Sequence, residues 1–203
     1  MRDKCILPFL ITERLEFFQL TQADLPELEI LLGDTEIMYA WEHGFTKIES
    51  QAWLNENLRR YSSDGYSYWA VRKKNDGSLI GVMGILKEVA EGKQYIGIGY
   101  ILNKKYWGQG YAGEGTEALC QYAFRKLQLQ TLTAQVRTNN FASQHIAEGL
   151  GMKAMCNFVK IYRGQEMPHF LYTLDRDKWL KTASNGTVTV SYTHLTLPTI
   201  LLV

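Results

Sequence analysis

The residues best suited to chemistry begin in the stretch 106–116, YWGQGYAGEGT. Gly108-x-Gly110-x-x-Gly113 has the spacing of a dinucleotide-binding turn, and Gly110-x-x-x-x-Gly115-Thr116 has that of a phosphate loop without its lysine. Either pattern puts backbone N–H groups where a phosphate can approach them. Glycine permits the close approach and the backbone angles required.

Both nucleotide readings fail on named positions. A dinucleotide turn belongs in the first βαβ unit, with an acidic residue about 20 positions later for the ribose. Here the glycines lie halfway along the chain, and the strand that should end in Asp or Glu, residues 131–138 (TLTAQVRT), carries no carboxylate. A phosphate loop needs a lysine for the terminal phosphates. Counted from Gly108 that position is Glu114, and counted from Gly110 the residue after Gly115 is Thr116. What survives is a strand ending at Asn103, a glycine-rich turn, and a helix beginning near Ala112. The first N–H groups of such a helix have no partner within it and lie at the positive end of its dipole. Glu114 and Glu117 add negative charge there and weigh against an anion.

The elements that must hold this loop follow from periodicity. Residues 11–20 alternate as a strand. A helix opens at Thr21, with Asp24 three residues later and Pro26 in the first turn, and stops at Gly33. A short helix through 35–41 and a longer one over 47–62 follow. The strands 66–74, 78–89 and 94–103 form an antiparallel meander, the last two joined by the AEGK turn. Then come a helix over 112–128, the strand 131–138, a helix within 139–152, and a hairpin of 154–164 with 165–174. The order predicts one mixed α/β domain over residues 1–183.

Composition bounds the rest. The chain has 203 residues, 46% hydrophobic and 21% charged, with a net charge of +1. That is a globular composition without broad attraction for nucleic acid or anionic membrane, so neither is expected as a partner. Cys5, Cys120 and Cys156 are widely spaced and read as buried free thiols in a reducing cytosol. The four histidines have no metal-ligand spacing, so no metal is expected. No leader or membrane span is evident, and a cytoplasmic protein is expected. Residues 184–203 hold no Asp, Glu, Lys or Arg. Within them 189–199, TVSYTHLTLPT, resembles the translation of a transposase adapter used for sequencing libraries, so this tail is expected to be non-native. The alternative is a native β-prone tail that pairs with a sheet edge.

The chain also resembles the GNAT family of acyl-CoA-dependent N-acetyltransferases, in particular the ribosomal-protein alanine N-acetyltransferase branch. The resemblance runs in order through ITERLEFFQLTQADLPEL, YWAVRKKNDGSLIGVMGI, IGYILNKKYWGQGYAGEGTEAL, NNFASQHIAEGLGM and YTLDRDKW, over about residues 10–180. It implies a GNAT-like fold, a mostly antiparallel sheet of about seven strands flanked by helices. It implies acetyl transfer from acetyl-CoA to a primary amine, such as a protein N-terminal amine. A small-molecule or antibiotic amine and a non-catalytic acyl-CoA-binding module are the alternatives, and a monomer or homodimer is expected.

Residue by residue, the family pattern Gln/Arg-x-x-Gly-x-Gly/Ala falls on Trp107, Gly108, Gln109, Gly110, Tyr111 and Ala112, with Gly113 next. The resemblance implies that this loop binds the pyrophosphate of coenzyme A through its main chain. It implies that Tyr100, Ile101 and Leu102 line the pantetheine and thioester, that Asn140 contacts the pantetheine, and that Ser143 lies near the sulfur as a proton donor. Tyr100 is a further catalytic candidate, with Tyr106 and Tyr162 in reserve. The family often carries a Glu where this chain has Gly97. For the base this leaves Glu42 and His43, or an amine delivered neutral. Gly97 and Gly99 suit either a bulge or room for bulky neighbours. Tyr39, Trp41, Tyr66 and Trp69 line an acceptor pocket or pack in the core.

Overall fold

The computed structural model describes residues 7–182 and 189–192. Cys5 and most of the 184–203 tail lie outside the described residues. A single mixed sheet has the order β7-β8-β6-β5-β4-β3-β2-β1-β9. The meander expected up to Asn103 is present: β2 (Leu15–Gln19), β3 (Tyr68–Lys73), β4 (Leu79–Ala90) and β5 (Lys93–Leu102) pair antiparallel in sequence order. β6 (Thr131–Arg137) runs parallel to β5, and β7 (Lys153–Tyr162) and β8 (Gln165–Asp175) complete the far side as a hairpin.

The count exceeds seven because two strands at one end of the sheet have only two residues each, β1 (Leu10–Ile11) and β9 (Ser191–Tyr192). The single strand expected over 11–20 is broken at its start. Thr12 N–H donates to the Leu15 carbonyl at 2.9 Å, and Leu15 N–H donates back to Thr12 Oγ1 at 3.0 Å. This hydroxyl turn reverses the chain, so β1 pairs antiparallel with β2. The described part of the tail, β9, pairs with β1 through Leu10–Tyr192 and Ile11–Ser191.

Helices α1 (Leu25–Gly33) and α2 (Lys47–Asp64) pack on one face of the sheet. Their core includes Leu28, Leu32 and Leu54 against Ala70, Val82, Leu86 and Ile101. α2 opens with Thr46 and Glu49 in a reciprocal cap, the Glu49 N–H on Thr46 Oγ1 at 3.2 Å and the Thr46 N–H on Glu49 Oε2 at 2.8 Å. The helix expected over 35–41 is instead a turn with one 3-10 segment, Tyr39–Trp41. α3 (Tyr111–Arg125) and α4 (Phe141–Gly149) lie on the other face, where Phe17, Met83, Ile85, Ile98 and Leu102 meet Leu119 and Phe124. α5 (Arg176–Thr182), not anticipated from periodicity, is capped by Asp175 and places Trp179 against Phe124 at 5.4 Å between ring centres. Cys120 is buried as expected, but Cys156 is exposed, beside an irregularity in the β7–β8 register.

One break in the sheet matters most. β5 and β6 share a single residue pair, Gly97 with Thr133, supported by Thr133 Oγ1 donating to the Ile96 carbonyl at 3.2 Å. Beyond that pair the two strands separate. The gap between Ile98–Leu102 and Ala134–Arg137 opens into a cavity of about 680 Å³.

Candidate active site

The glycine-rich turn closes one end of this gap. A 3-10 turn, Lys104–Tyr106, is started by Asn103, whose Oδ1 accepts the Lys105 N–H at 3.1 Å. Trp107 Nε1 donates to the Leu102 carbonyl at 2.8 Å, which fastens the turn to the end of β5. Gly108 and Gly110 then take φ of 71° and 80°, the left-handed region that favours glycine, and α3 begins at Tyr111. The N–H groups of Tyr111, Ala112 and Gly113 have no carbonyl one turn back to bond. The space beside Gly108 and Gly113 is open.

Glu114, which weighed against an anion here, is turned away from the mouth. Its carboxylate accepts Thr12 Oγ1 at 2.5 Å and the Arg14 backbone N–H at 2.9 Å, and pairs with Arg14 Nε at 2.6 Å. The same guanidinium donates to the Gln109 carbonyl at 2.9 Å and lies 4.4 Å from the centre of the Tyr111 ring. Gly115 and Thr116, the remnant of a phosphate loop, have structural jobs. A Cβ on Gly115 would come within 2.2 Å of Met83 Sδ, so this glycine lets α3 rest on the sheet. Thr116 Oγ1 donates to the Ala112 carbonyl at 2.7 Å.

Inside the gap, Tyr100 from β5 and Ser143 from α4 meet, their oxygens 2.9 Å apart. Burial pushes the Tyr100 hydroxyl up to about 12, against a smaller downward effect of the Ser143 hydrogen bond. The phenol therefore keeps its proton at neutral pH. Ser143 is fixed by its backbone, since its N–H donates to Asn140 Oδ1 at 3.0 Å, the N-cap of α4. Asn140 thus does act as a helix cap, with its side chain at the cavity wall.

The register of β4 and β5 runs without interruption from Gly81–Leu102 to Ala90–Lys93, so Gly97 and Gly99 form no bulge. They make room. A Cβ on Gly99 would lie 2.8 Å from the Tyr68 hydroxyl, and one on Gly97 would lie 2.1 Å from Glu88 Oε2. The side chain of Glu88, on β4, therefore occupies the space above Gly97. Sequence reading missed this residue. The AEGK turn contained the signal: it sets the antiparallel register that places Glu88 opposite Tyr95, diagonal to Gly97.

The structure brings together Tyr100, Ile101, Leu102, Trp107, Gly108, Gly110, Tyr111, Ala112, Gly113, Asn140 and Ser143 on the cavity wall. Gln109 is not among them; its side chain donates to the Lys105 carbonyl at 2.8 Å on the outside of the turn. Glu42 is not part of the cavity wall. With a left-handed φ of 61°, it pairs with Arg137 at 2.8 Å and ties the 39–42 turn to the end of β6. His43 contacts the Trp41 carbonyl at 3.1 Å and Glu49 at 3.3 Å. Of the aromatics, Tyr39 and Trp41 line the cavity with Tyr106 and Tyr162, whereas Tyr66 and Trp69 are core. Among the described residues no group of three His, Cys, Asp or Glu is placed to hold a metal, and no helix is long and apolar enough to cross a membrane.

Unpartnered N–H groups at a helix start, open space beside two glycines and an outward-turned Glu114 suit a pyrophosphate. The adjoining gap between the strands suits a long flexible arm ending at Tyr100 and Ser143. Comparison with known proteins gives the family. A Bacillus subtilis (strain 168) protein, YkkB, is 30% identical over 164 residues, 80% of this chain and 93% of its own. The fold matches a Vibrio cholerae structure described as a putative ribosomal-protein-serine acetyltransferase, with a TM-score of 0.68 and 20% identity over 81% of this chain and 95% of that one. It also matches the Vibrio cholerae spermidine N-acetyltransferase in complex with CoA and spermine, with a TM-score of 0.67 and 19% identity over 82% and 98%. A model of the acetyltransferase (GNAT) domain family matches residues 14–153. That span runs from the hairpin that restrains Glu114, through the splayed strands and the loop, past the helix bearing Ser143. The chain therefore belongs to the GNAT family, whose members are acetyl-CoA-dependent acyltransferases acting on amines.

Proposed function

We propose that this enzyme acetylates the free N-terminal amine of a peptide or protein. The observation that carries the reading is the charge of the cavity wall. Glu88 is its single carboxylate among the described residues, set against the cations Arg137 and Lys160. A polyamine or a polycationic drug needs several carboxylates to offset its charges. An N-terminal amine brings one positive charge on an otherwise neutral backbone, and one carboxylate matches it. The aromatic walls Tyr39, Trp41 and Tyr162 suit the first side chains of a peptide.

In this reading the N–H groups at the start of α3 bind the pyrophosphate, and β5 aligns the pantetheine arm along the gap. Acetyl-CoA supplies an activated acyl group with a thiolate leaving group. The Tyr100–Ser143 pair, at the inner end of the gap, holds the proton the departing sulfur requires. Strand alternation places Tyr100 and Leu102 toward α3 and α4, and Gly97, Gly99 and Ile101 toward α1 and α2. The gap thus joins two faces of the sheet, with cofactor entering from one and acceptor from the other.

The test is an assay of CoA release with purified full-length chain, using alanyl and seryl peptides with free N-termini, the same peptides N-blocked, spermidine, and an aminoglycoside. Turnover confined to the free peptides supports the reading. Faster turnover of spermidine or the aminoglycoside would assign the enzyme to small amines instead.

A further inference from the structure

Acetyl transfer at neutral pH starts from an ammonium group, which must lose a proton before its nitrogen can attack. Neither Tyr100 nor Ser143 can take it, since both are hydroxyl donors on the side that the leaving sulfur needs. Glu42 is engaged by Arg137. One carboxylate on the cavity wall remains.

Resting on the acetyl-transfer reading above, we propose that Glu88 is the general base, reaching from β4 across Gly97 to the point where β5 and β6 part. Three observations place it there. Gly97 is the β5 residue of the single β5–β6 pair, so the space above it is the apex of the gap. Glu88 Oε2 fills that space, where a Cβ at position 97 would lie 2.1 Å from it and the glutamate side chain would have to move aside. Its carboxylate borders the cavity yet makes no hydrogen bond or ion pair with any described residue. A carboxylate bordering the cavity without a fixed partner is free to bond a substrate ammonium.

The groups that face it set its proton affinity. Burial raises the Glu88 carboxyl above the ordinary carboxylate range, and the positive charges of Lys160 on β7 and Arg60 on α2 partly offset this. From β3 comes the Tyr68 hydroxyl, itself raised by burial and by the nearby Glu88 charge, so it stays neutral. A base poised above the usual range accepts a proton from an amine more readily than an exposed glutamate does.

The step balances. The ammonium gives one proton to the Glu88 carboxylate, and the neutral nitrogen forms a bond to the thioester carbon as the carbon–sulfur bond breaks. The second proton of that nitrogen is lost as the amide forms. The Tyr100–Ser143 pair gives a proton to the thiolate and is restored by that second proton, while the first leaves Glu88 for water.

The experiment compares wild type, Glu88→Gln, Glu88→Ala, Gly97→Glu and the exchange Glu88→Ala with Gly97→Glu. Each is measured for acetyl-CoA affinity and for the pH profile of peptide acetylation. Glu88→Gln should lower kcat by about 10²–10³-fold with acetyl-CoA affinity within about threefold. Its rate should climb with pH up to the pKa of the acceptor amine, while the wild type levels off earlier. The exchange variant, which clears Glu88 and restores a carboxylate from β5, should regain at least about tenfold over Glu88→Ala. Wild-type turnover and pH profile in Glu88→Gln, or no recovery in an exchange variant that binds acetyl-CoA normally, would overturn the proposal and leave the acetyl-transfer reading intact. If the wild type releases no CoA with any acceptor, both fall together.

Discussion

The Tyr100 hydroxyl and Ser143 Oγ lie 2.9 Å apart, joining a strand on one side of the splay to a helix on the other. Burial keeps the phenol protonated, with its value pushed up to about 12, so the pair can donate throughout the neutral range. If it supplies the proton for the departing sulfur, Ser143→Ala and Tyr100→Phe should each lower kcat by about 10²-fold while acetyl-CoA affinity changes little. Residues that act as one unit are not additive, so the double variant should be scarcely slower than the worse single one. Steady-state kinetics with calorimetric affinities check this. Wild-type turnover in Ser143→Ala would remove the serine from the mechanism.

Arg14 neutralises Glu114 beside the helix start proposed to bind the pyrophosphate. Replacing Arg14 by Ala should expose that carboxylate and weaken acetyl-CoA binding by about tenfold, or about 1.4 kcal/mol. The loss should shrink at high salt, because Arg14 is partly exposed and the effect is screened. Adding Glu114→Gln to Arg14→Ala should recover most of the affinity if charge is the cause. Failure to recover would show that Arg14 acts by positioning the Gln109 carbonyl and Tyr111.

Glu88 should trade stability for its role. Its carboxyl is raised in the folded chain, so folding favours the protonated form. That contribution is complete below the unfolded value of about 4.3 and is lost as pH rises through the folded value. Glu88→Gln mimics the protonated state. It should melt higher than the wild type at pH 7.5 and alike at pH 4 or below, by scanning calorimetry. A lower melting point for the variant at pH 7.5 would mean that the charged form is stabilised in the fold.

Residues 1–183 are proposed to fold and bind alone. The described contacts of the tail include the two-residue pairing of β9 with β1, the packing of Val190 and Tyr192 on the core, with the Tyr192 ring 5.9 Å from that of Tyr122, and Lys126 over the Tyr192 ring. Deleting residues 184–203 should leave acetyl-CoA affinity unchanged and lower Tm by only a few degrees, since about 1 kcal/mol corresponds to about 2–4 °C at this size. A chain that fails to fold without the tail would make β9 a native edge strand.

The sequence was most legible where local chemistry repeats. The meander, the cap at Thr21 and Asp24, and the glycine turn into α3 each follow from a period or a cap that acts over a few residues. The β1–β2 break was hidden because Thr12 bonds Leu15 through a side chain within a stretch that still alternates. α5 was hidden because seven residues are too few for a hydrophobic period. At the site, the loop, Asn140 and Ser143 were reached through the resemblance to the GNAT family, and they line the cavity. The 2.9 Å Tyr100–Ser143 contact, the Arg137 pairing of Glu42 and the position of Glu88 were not legible, since each joins residues distant in sequence or diagonal across a hairpin. Gly97 carried the clue in inverted form: an absent side chain marked where a neighbour's side chain sits.

The central claim is that the turn at Gly108–Gly113 holds the pyrophosphate of acetyl-CoA. The most direct measurement is calorimetric titration of the full chain with acetyl-CoA, NAD and ATP, repeated with Gly110→Glu and with Gly110→Asn as a control. Gly110 has φ of 80°, which Asn tolerates better than other residues, so the control separates backbone strain from an added carboxylate. The account predicts that acetyl-CoA binds the wild type well in preference to NAD and ATP, that Gly110→Glu abolishes this binding, and that Gly110→Asn retains much of it. Unchanged acetyl-CoA affinity in Gly110→Glu, or equal binding of NAD, would contradict it.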